Sequence, residues 1–425
     1  MSPLKESRVK ADLVIRNIGQ LLTLAGHSHL PLVRPNESSL GIQTHSAIAS
    51  ISGKICYVGS MSRLSESVNS TSAVELDVGG KLVLPGFVDC HTHAIFAGSR
   101  EDEIGFKLSG LSYLEILKRG GGILRTVMQT RKATSSELIA QTKDRLDRMI
   151  SFGTTTFEIK TGYGLSLKDE IRLLELIGSL RTRGRYDIVP TLLSAHAIPK
   201  NFGKADKYID TVVLPSIDFA SKKHLANFCD VFMEDGVFDR RSTERILLYG
   251  RKKGLGLKIH ADEFTDLGGA LLGAILRVTS VDHLMRASMK GMRALARSVT
   301  SCVLLPGTSL ASFASSHANA RALIDFGAPV ALGSDMSPNS WIESMQFVIS
   351  LACFRLRMTP SESIVGATIN GAHAIGRARD VGSIEKGKSC DLLICNVSGF
   401  EEIPYRIASN SVRTVVKRGR IIREN

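Results

Sequence analysis

Two hydropathy patterns share this chain. From Ala11 to about Gly80, short stretches alternate apolar with polar residues or are rich in β-branched side chains. These are ADLVIRNIGQLLTL, SAIASISGKICYVGS and SAVELDVGGKLVLPG, broken by Gly and Ser. A period of two with such breaks predicts half-buried strands joined by turns. The same style returns at the far end, in VGSIEKGKSCDLLICNV and VRTVVKRGRIIREN. The centre is different. Eight short apolar runs follow one another there: KLVLPGFVD, GTTTFEIK, DIVPTLLSAH, FCDVFMED, LGLKIHAD, SVDHL, TSCVLLP and APVALGSD. Between most of them lie amphipathic segments such as SSELIAQTKDRLDRMIS, LKDEIRLLELIGSLRTR and DRRSTERILLYGRKKG. The run from Thr134 to Glu137 and the run Ser242-Thr243-Glu244 supply N-cap-like helix starts.

Eight strand–helix units over roughly 250 residues predict a (β/α)8 TIM-like barrel. The competing arrangement, an open doubly wound sheet, should carry G-x-G-x-x-G after its first strand, and none stands there. The expected fold is therefore α/β. Residues 1–82 and 380–425 would form a small composite β-sandwich domain, and residues 83–379 a barrel inserted between them.

In such a barrel the C-terminal strand ends face the active site. Those ends carry His91 and His93, then Glu158, Lys160 and Tyr163, then His196, His260 with Glu263, His283 and finally Asp335. Residues i and i+2 of a strand share a face, so His91 and His93 would both enter the barrel mouth. With His260 and Asp335 they make an N/N/N/O shell for one divalent metal, Zn2+ or Fe2+/Fe3+. Glu263, just past its strand, can take a proton from a water that the metal activates. Each residue has a plainer reading: a hydrogen-bonded histidine, a helix-start carboxylate for Glu263, an N-cap for Asp335, a surface ion pair for Arg100, loop packing for Tyr163. Taken together they favour one shared site. A carbamylated Lys160 bridging a second metal is disfavoured, because four protein ligands already serve one ion.

Composition narrows the classes. The chain has 425 residues, 43% hydrophobic and 22% charged, which is ordinary globular usage. Its seven Cys form no C-x-x-C pair, which disfavours a disulfide framework and a thiolate zinc site and points to a reducing, cytoplasmic setting. No apolar run reads as a signal peptide or a membrane span. The formal charge of +13 is spread along the chain, and only 6% of residues are aromatic. It is read as solubility and attraction for an acidic substrate, not as nucleic-acid or membrane binding.

The stretches PGFVDCHTH, HADE, VDH and GSD resemble the metal-dependent amidohydrolase superfamily. More closely, HTHAIFAGSRE, GGGI, TTTFEIKTGYGL, LLSAHAIP, DVFMEDGVF and KIHADEF resemble the imidazolonepropionase family of histidine degradation, over nearly the whole chain. The resemblance implies a hydrolase that opens 4-imidazolone-5-propanoate to N-formimidoyl-L-glutamate, and a homodimer by family habit. It implies metal on His91, His93, His260 and Asp335, with Glu263, His283 and Asp335 in proton transfer. It implies substrate contacts from Arg100, Tyr113, Tyr163, His196, Glu263 and His283, Arg100 clasping the carboxylate. The family commonly has Asn two residues after the metal-binding Asp, where this chain has Ser337; Asn339 and Ser340 just beyond could supply polar contacts. The alternatives are another cyclic amidohydrolase or base deaminase, or a non-catalytic scaffold of the same fold.

Overall fold

A computed structural model of the chain describes residues 8–111, 115–116, 119–182 and 184–425. All eight central strands form. They are β1 (Phe87–Asp89), β2 (Thr154–Lys160), β3 (Ile188–Ala195), β4 (Phe228–Met233), β5 (Gly256–Ala261), β6 (Ser280–His283), β7 (Ser301–Leu304) and β8 (Val330–Leu332). Neighbours in sequence are parallel neighbours in the sheet. β8 returns to β1 beyond the strand ends, where Asp335 N–H donates to the His91 carbonyl at 3.0 Å and His93 N–H to the Met336 carbonyl at 2.9 Å. The strands are buried along almost their whole length, because helices cover the outside and side chains fill the inside.

The first apolar run, KLVLPGFVD, divides between two sheets. Leu82–Pro85 lies antiparallel to Leu392–Cys395 in a six-stranded sheet outside the barrel, and only Phe87–Asp89 enters the barrel. The switch comes at Gly86, where a Cβ would stand 2.2 Å from Thr155 Oγ1, so only glycine lets the chain turn this close to β2. The six-stranded sheet is completed by Gln20–Leu22 and Ile42–Gln43 from the N-terminal segment and by Val412–Lys417 and Arg420–Glu424 from the C-terminal segment. A four-stranded sheet holds Lys54–Ser60, Ser46–Ile51, Leu13–Ile18 and Val74–Asp77. Ile15, Ile48, Val83, Leu392 and Val416 pack between the two sheets.

Salt bridges tie this terminal layer to the barrel. Asp187, just ahead of β3, meets Lys417 Nζ and Arg377 Nη1 at 2.9 Å each, and Lys417 Nζ also meets Asp391 at 2.6 Å. Burial opposes charge on Asp187, but Lys417 and Arg377 outweigh it and hold the carboxyl well below its ordinary range.

Helix starts follow local hydrogen bonding. Thr134 caps the helix Ser135–Ser151 and Glu137 closes the capping box, as the sequence suggests. The helix Arg240–Lys252 instead begins at Asp239, whose carboxylate accepts from Ser242 N–H at 2.8 Å; Ser242 is inside the first turn, because Asp is the better acceptor three residues earlier. Among the described residues, no helix is long and apolar enough to cross a membrane.

Candidate active site

The strand ends bring the expected residues together. His91 and His93 continue β1 in extended form, His196 follows β3, His260 lies within β5, His283 ends β6, and Asp335 comes three residues after β8. Three of these ends turn through left-handed backbone at residues other than glycine: Asp262 (φ 52°), His283 (φ 77°) and Asp335 (φ 51°). Such conformations cost about 1 kcal/mol or more each and persist where the surroundings fix them. Asp335 caps no helix, since the next one begins at Met345 under Ser344, and Glu263 precedes the helix Gly269–Leu276 by more than a turn. Tyr113 lies outside the described residues.

Two overlapping groups have ligand atoms all within 4.8 Å of one another: His91, His93 and Asp335, and His91, His260 and His283. His260 Nε2 links them, 3.4 Å from His93 Nε2. The tautomers follow from what lies behind the rings. His91 Nδ1 is 2.6 Å from Asp282 Oδ2, a group that only accepts, so Nδ1 carries the proton. His260 Nδ1 lies 3.1 Å from Asp230 Oδ2 and is protonated for the same reason. Both Nε2 lone pairs therefore point inward. Burial first, then Lys160, keeps the His91 ring neutral, well below its ordinary pKa. His91 Nε2 nevertheless faces Asp335 Oδ1 at 3.6 Å and has no hydrogen-bond partner among the described residues. A lone pair opposed to a carboxylate oxygen, both buried, is unfavourable without a cation between them. The donor set fits a divalent metal, and it includes His283 as a further candidate beside the four ligands expected from the sequence.

Beneath this cluster lies an ionic layer. Lys160 Nζ is 2.7 Å from Glu158 Oε1, 2.8 Å from Asp230 Oδ2 and 3.7 Å from Asp282 Oδ2, all four groups fully enclosed. Lys258 Nζ donates to Ser280 Oγ at 2.7 Å and stands 3.6 Å from Asp282 Oδ2. Although burial disfavours charge on Asp230, His260 and Lys160 hold its carboxyl well below the usual range. Lys160 thus serves as counter-ion to the carboxylates that orient the histidines.

Above the cluster opens a cavity of about 510 Å³. His93, Tyr163, His196, His260, Glu263, His283, Asp335, Arg100, Ser337 and Asn339 all line it, whereas Ser340 is fully buried and gives its N–H to Ser337 Oγ at 3.2 Å. Arg100 is no surface residue: it is 7% exposed, with Nη2 2.7 Å from Glu103 Oε2 and Nε unpartnered among the described residues. Glu263 Oε2 is 3.6 Å from His283 Nε2. Burial, then Asp335 and Glu234, pushes the Glu263 carboxyl well above its ordinary pKa, and burial alone depresses His283 most. Asp335 is raised to about 6, chiefly by burial, which outweighs its hydrogen bond from Thr308. The tight turn at Gly162 brings its carbonyl 3.2 Å from His196 Nδ1; a Cβ there would lie 2.8 Å from that same nitrogen. Burial, then His260, lowers His196 to about 3, so this ring is a neutral acceptor towards the cavity.

Asp230, Asp282 and Thr308 are site residues that strand-end reasoning passes over. The first two lie inside β4 and β6 and the third in the short helix Pro306–Ala311 that follows β7. The signal for the aspartates is an acid set between apolar neighbours, Asp230 within FCDVFM and Asp282 within SVDHL, since a buried carboxylate needs a partner.

The amidohydrolase family profile matches residues 244–422. The imidazolonepropionase of Alkaliphilus oremlandii is 44% identical over 97% of this chain and 98% of its own length. That of Geobacillus kaustophilus is 44% identical over 96% and 97%. Among solved structures, an adenosine deaminase from Xanthomonas campestris with bound zinc superposes with a TM-score of 0.74 at 16% identity, covering 97% of this chain and 93% of that one. A 5-methylcytosine deaminase from Klebsiella pneumoniae gives 0.73 at 15%, covering 97% and 98%. At such identities these structures show the shared fold alone. With full-length relatives at this level of identity, the chain belongs to the imidazolonepropionase family of amidohydrolases.

Proposed function

We propose that the chain opens 4-imidazolone-5-propanoate to N-formimidoyl-L-glutamate with His91, His93, His260 and Asp335 holding one divalent metal, Zn2+ or iron. Family membership makes it a hydrolase of carbon–nitrogen bonds in cyclic amides; the proposal concerns which side chains do what. The observation that carries it is a cavity in which inward imidazole lone pairs and Asp335 stand with a high-pKa carboxyl, and which Arg100 also lines.

When bound, the metal supplies Lewis acidity towards water and towards the ring carbonyl. The protein does the rest. Glu263 receives the proton of the attacking water at Oε2 and returns it to the ring nitrogen as the amide carbon–nitrogen bond breaks. Its place at the cavity wall beside His283 suits both halves of that task. His283, neutral and 3.6 Å away, steadies the developing oxyanion, an interaction worth a few kcal/mol in a closed site. Arg100 binds the propanoate carboxylate by a charge-assisted hydrogen bond. Tyr163 and His196, in contact with ring centroids 5.4 Å apart, line one side of the cavity and pack against the imidazolone ring from there. A base deaminase would have no use for a buried guanidinium, which favours the acidic substrate. Incubation with imidazolone propanoate, cytosine and guanine in parallel tests the reading. Only the first should be consumed; turnover of a base instead would refute it.

A further inference from the structure

Beside Arg100 lie groups that the reaction above does not use. The short helix Glu103–Leu108 begins three residues after Arg100 and presents Glu103 and Lys107, four apart, on one face. Glu103 Oε2 accepts from Arg100 Nη2 at 2.7 Å while its Oε1 accepts from Gly122 N–H at 2.7 Å. Across the cavity edge, Asn339 Oδ1 is held by two cations, Lys107 Nζ at 3.0 Å and Arg100 Nη2 at 3.4 Å. Lys107 Nζ is fixed a second time by the Ala311 carbonyl at 3.1 Å.

This arrangement decides which way the amide points. Turning it over would set its NH2 against both cations, so Oδ1 must face them. The Nδ2 group then has two hydrogens, of which one reaches Ser312 Oγ at 3.3 Å. Among the described residues, Arg100 and Lys107 stand against Glu103 alone, leaving one formal positive charge uncompensated, and Arg100 Nε is buried without a partner. Burial, then Arg100, also pulls the Lys107 ammonium below its ordinary pKa, as expected of a cluster short of negative charge.

We propose that Lys107 is a positioning residue for the substrate's carboxylate: it locks Asn339 so that Nδ2–H faces the cavity, and Asn339 and Arg100 together form an all-donor seat for one anion. The proposal rests on the reading of Arg100 as the carboxylate anchor. It assigns selectivity for an anionic side chain to Lys107, a residue that does not itself touch the substrate.

The test compares imidazolone propanoate with its side-chain carboxamide, neutral at the same position. Lys107→Met should raise KM for the propanoate about tenfold, the loss of one good hydrogen bond, with kcat unchanged. The carboxamide's KM should not move, and Lys107→Arg should restore the propanoate's. Asn339→Asp, which keeps an oxygen acceptor for Lys107 and Arg100 and so keeps the fold, puts a carboxylate into the seat; it should raise KM for the propanoate more strongly and spare the carboxamide. An unaltered propanoate KM in Lys107→Met, or an equal rise for both compounds, overturns the inference while wild-type turnover leaves the proposed function standing. A wild-type chain that opens neither compound overturns both.

Discussion

Glu263 shows how position makes a residue reactive. In the sequence it is one acid among 41 Asp and Glu, marked only by standing three residues after His260. In the fold it is buried between Asp335, Glu234 and His283, which raises its pKa and places it at the cavity wall. Glu263→Gln keeps size and polarity but loses the proton acceptor. It should lower kcat by about 10²–10⁴-fold with KM little changed in steady-state assays; full activity would remove Glu263 from the acid–base role. His91, His93, His260 and Asp335 were legible because they fall where a barrel exposes its strand ends. Ser337 was legible as a departure from the family pattern, but its surroundings were not: its Oγ accepts from Ser340 N–H, while the cavity also has Asn339 at its edge. Such short turns depend on side-chain hydrogen bonds that spacing does not reveal.

At the scale of elements, the alternation along strands builds the ionic layer. Asp282 faces the barrel interior with Ser280, His260 with Lys258, and Lys160 with Glu158, each pair two residues apart. The register of β5 on β6 sets His260 directly opposite Asp282. Carboxylates behind ligand histidines fix ring orientation, and their loss typically weakens metal binding by about 10–100-fold. Asp282→Asn should show that loss when wild type and variant compete with a chelator of known affinity. Equal affinity would reduce Asp282 to packing. The eight barrel strands could be read from apolar runs of strand length, but the division of KLVLPGFVD at Gly86 could not. Both halves are equally apolar because both are buried, one between sheets and one in the barrel. Their strand partners separate them: Leu82–Pro85 pairs with Gln20–Leu22 and with a strand some 310 residues later, whereas Phe87–Asp89 pairs with β2.

Over the whole molecule, the two ends of the chain meet in the sheets that flank the barrel, and Asp187 joins those sheets to it through Lys417 and Arg377. The carboxyl's folded pKa is lowered, so the ion pairs stabilise the protein fully above the unfolded carboxyl's value of about 4 and progressively less as pH falls below it. Asp187→Asn removes one carboxylate from buried Lys417 and half-buried Arg377, which keep Asp391 and Asp380, and should cost about 2 kcal/mol at pH 7 by denaturant titration. The gap to wild type should narrow below pH ~4; a constant gap would show that charge is not its source. The β character of both termini was legible from period-two stretches, whereas this cross-link was not, because its partners lie 190 and 230 residues apart in sequence. The central claim is that one metal, seated among His91, His93, His260 and Asp335, is required to open the imidazolone ring. It is tested most directly by stripping the chain with a chelator, adding Zn2+ or Fe2+ stepwise, and following ring opening at each step. Activity should start near zero and rise linearly to a plateau at one equivalent per chain. Full turnover by the metal-free chain, or a plateau reached only at two equivalents, would contradict it.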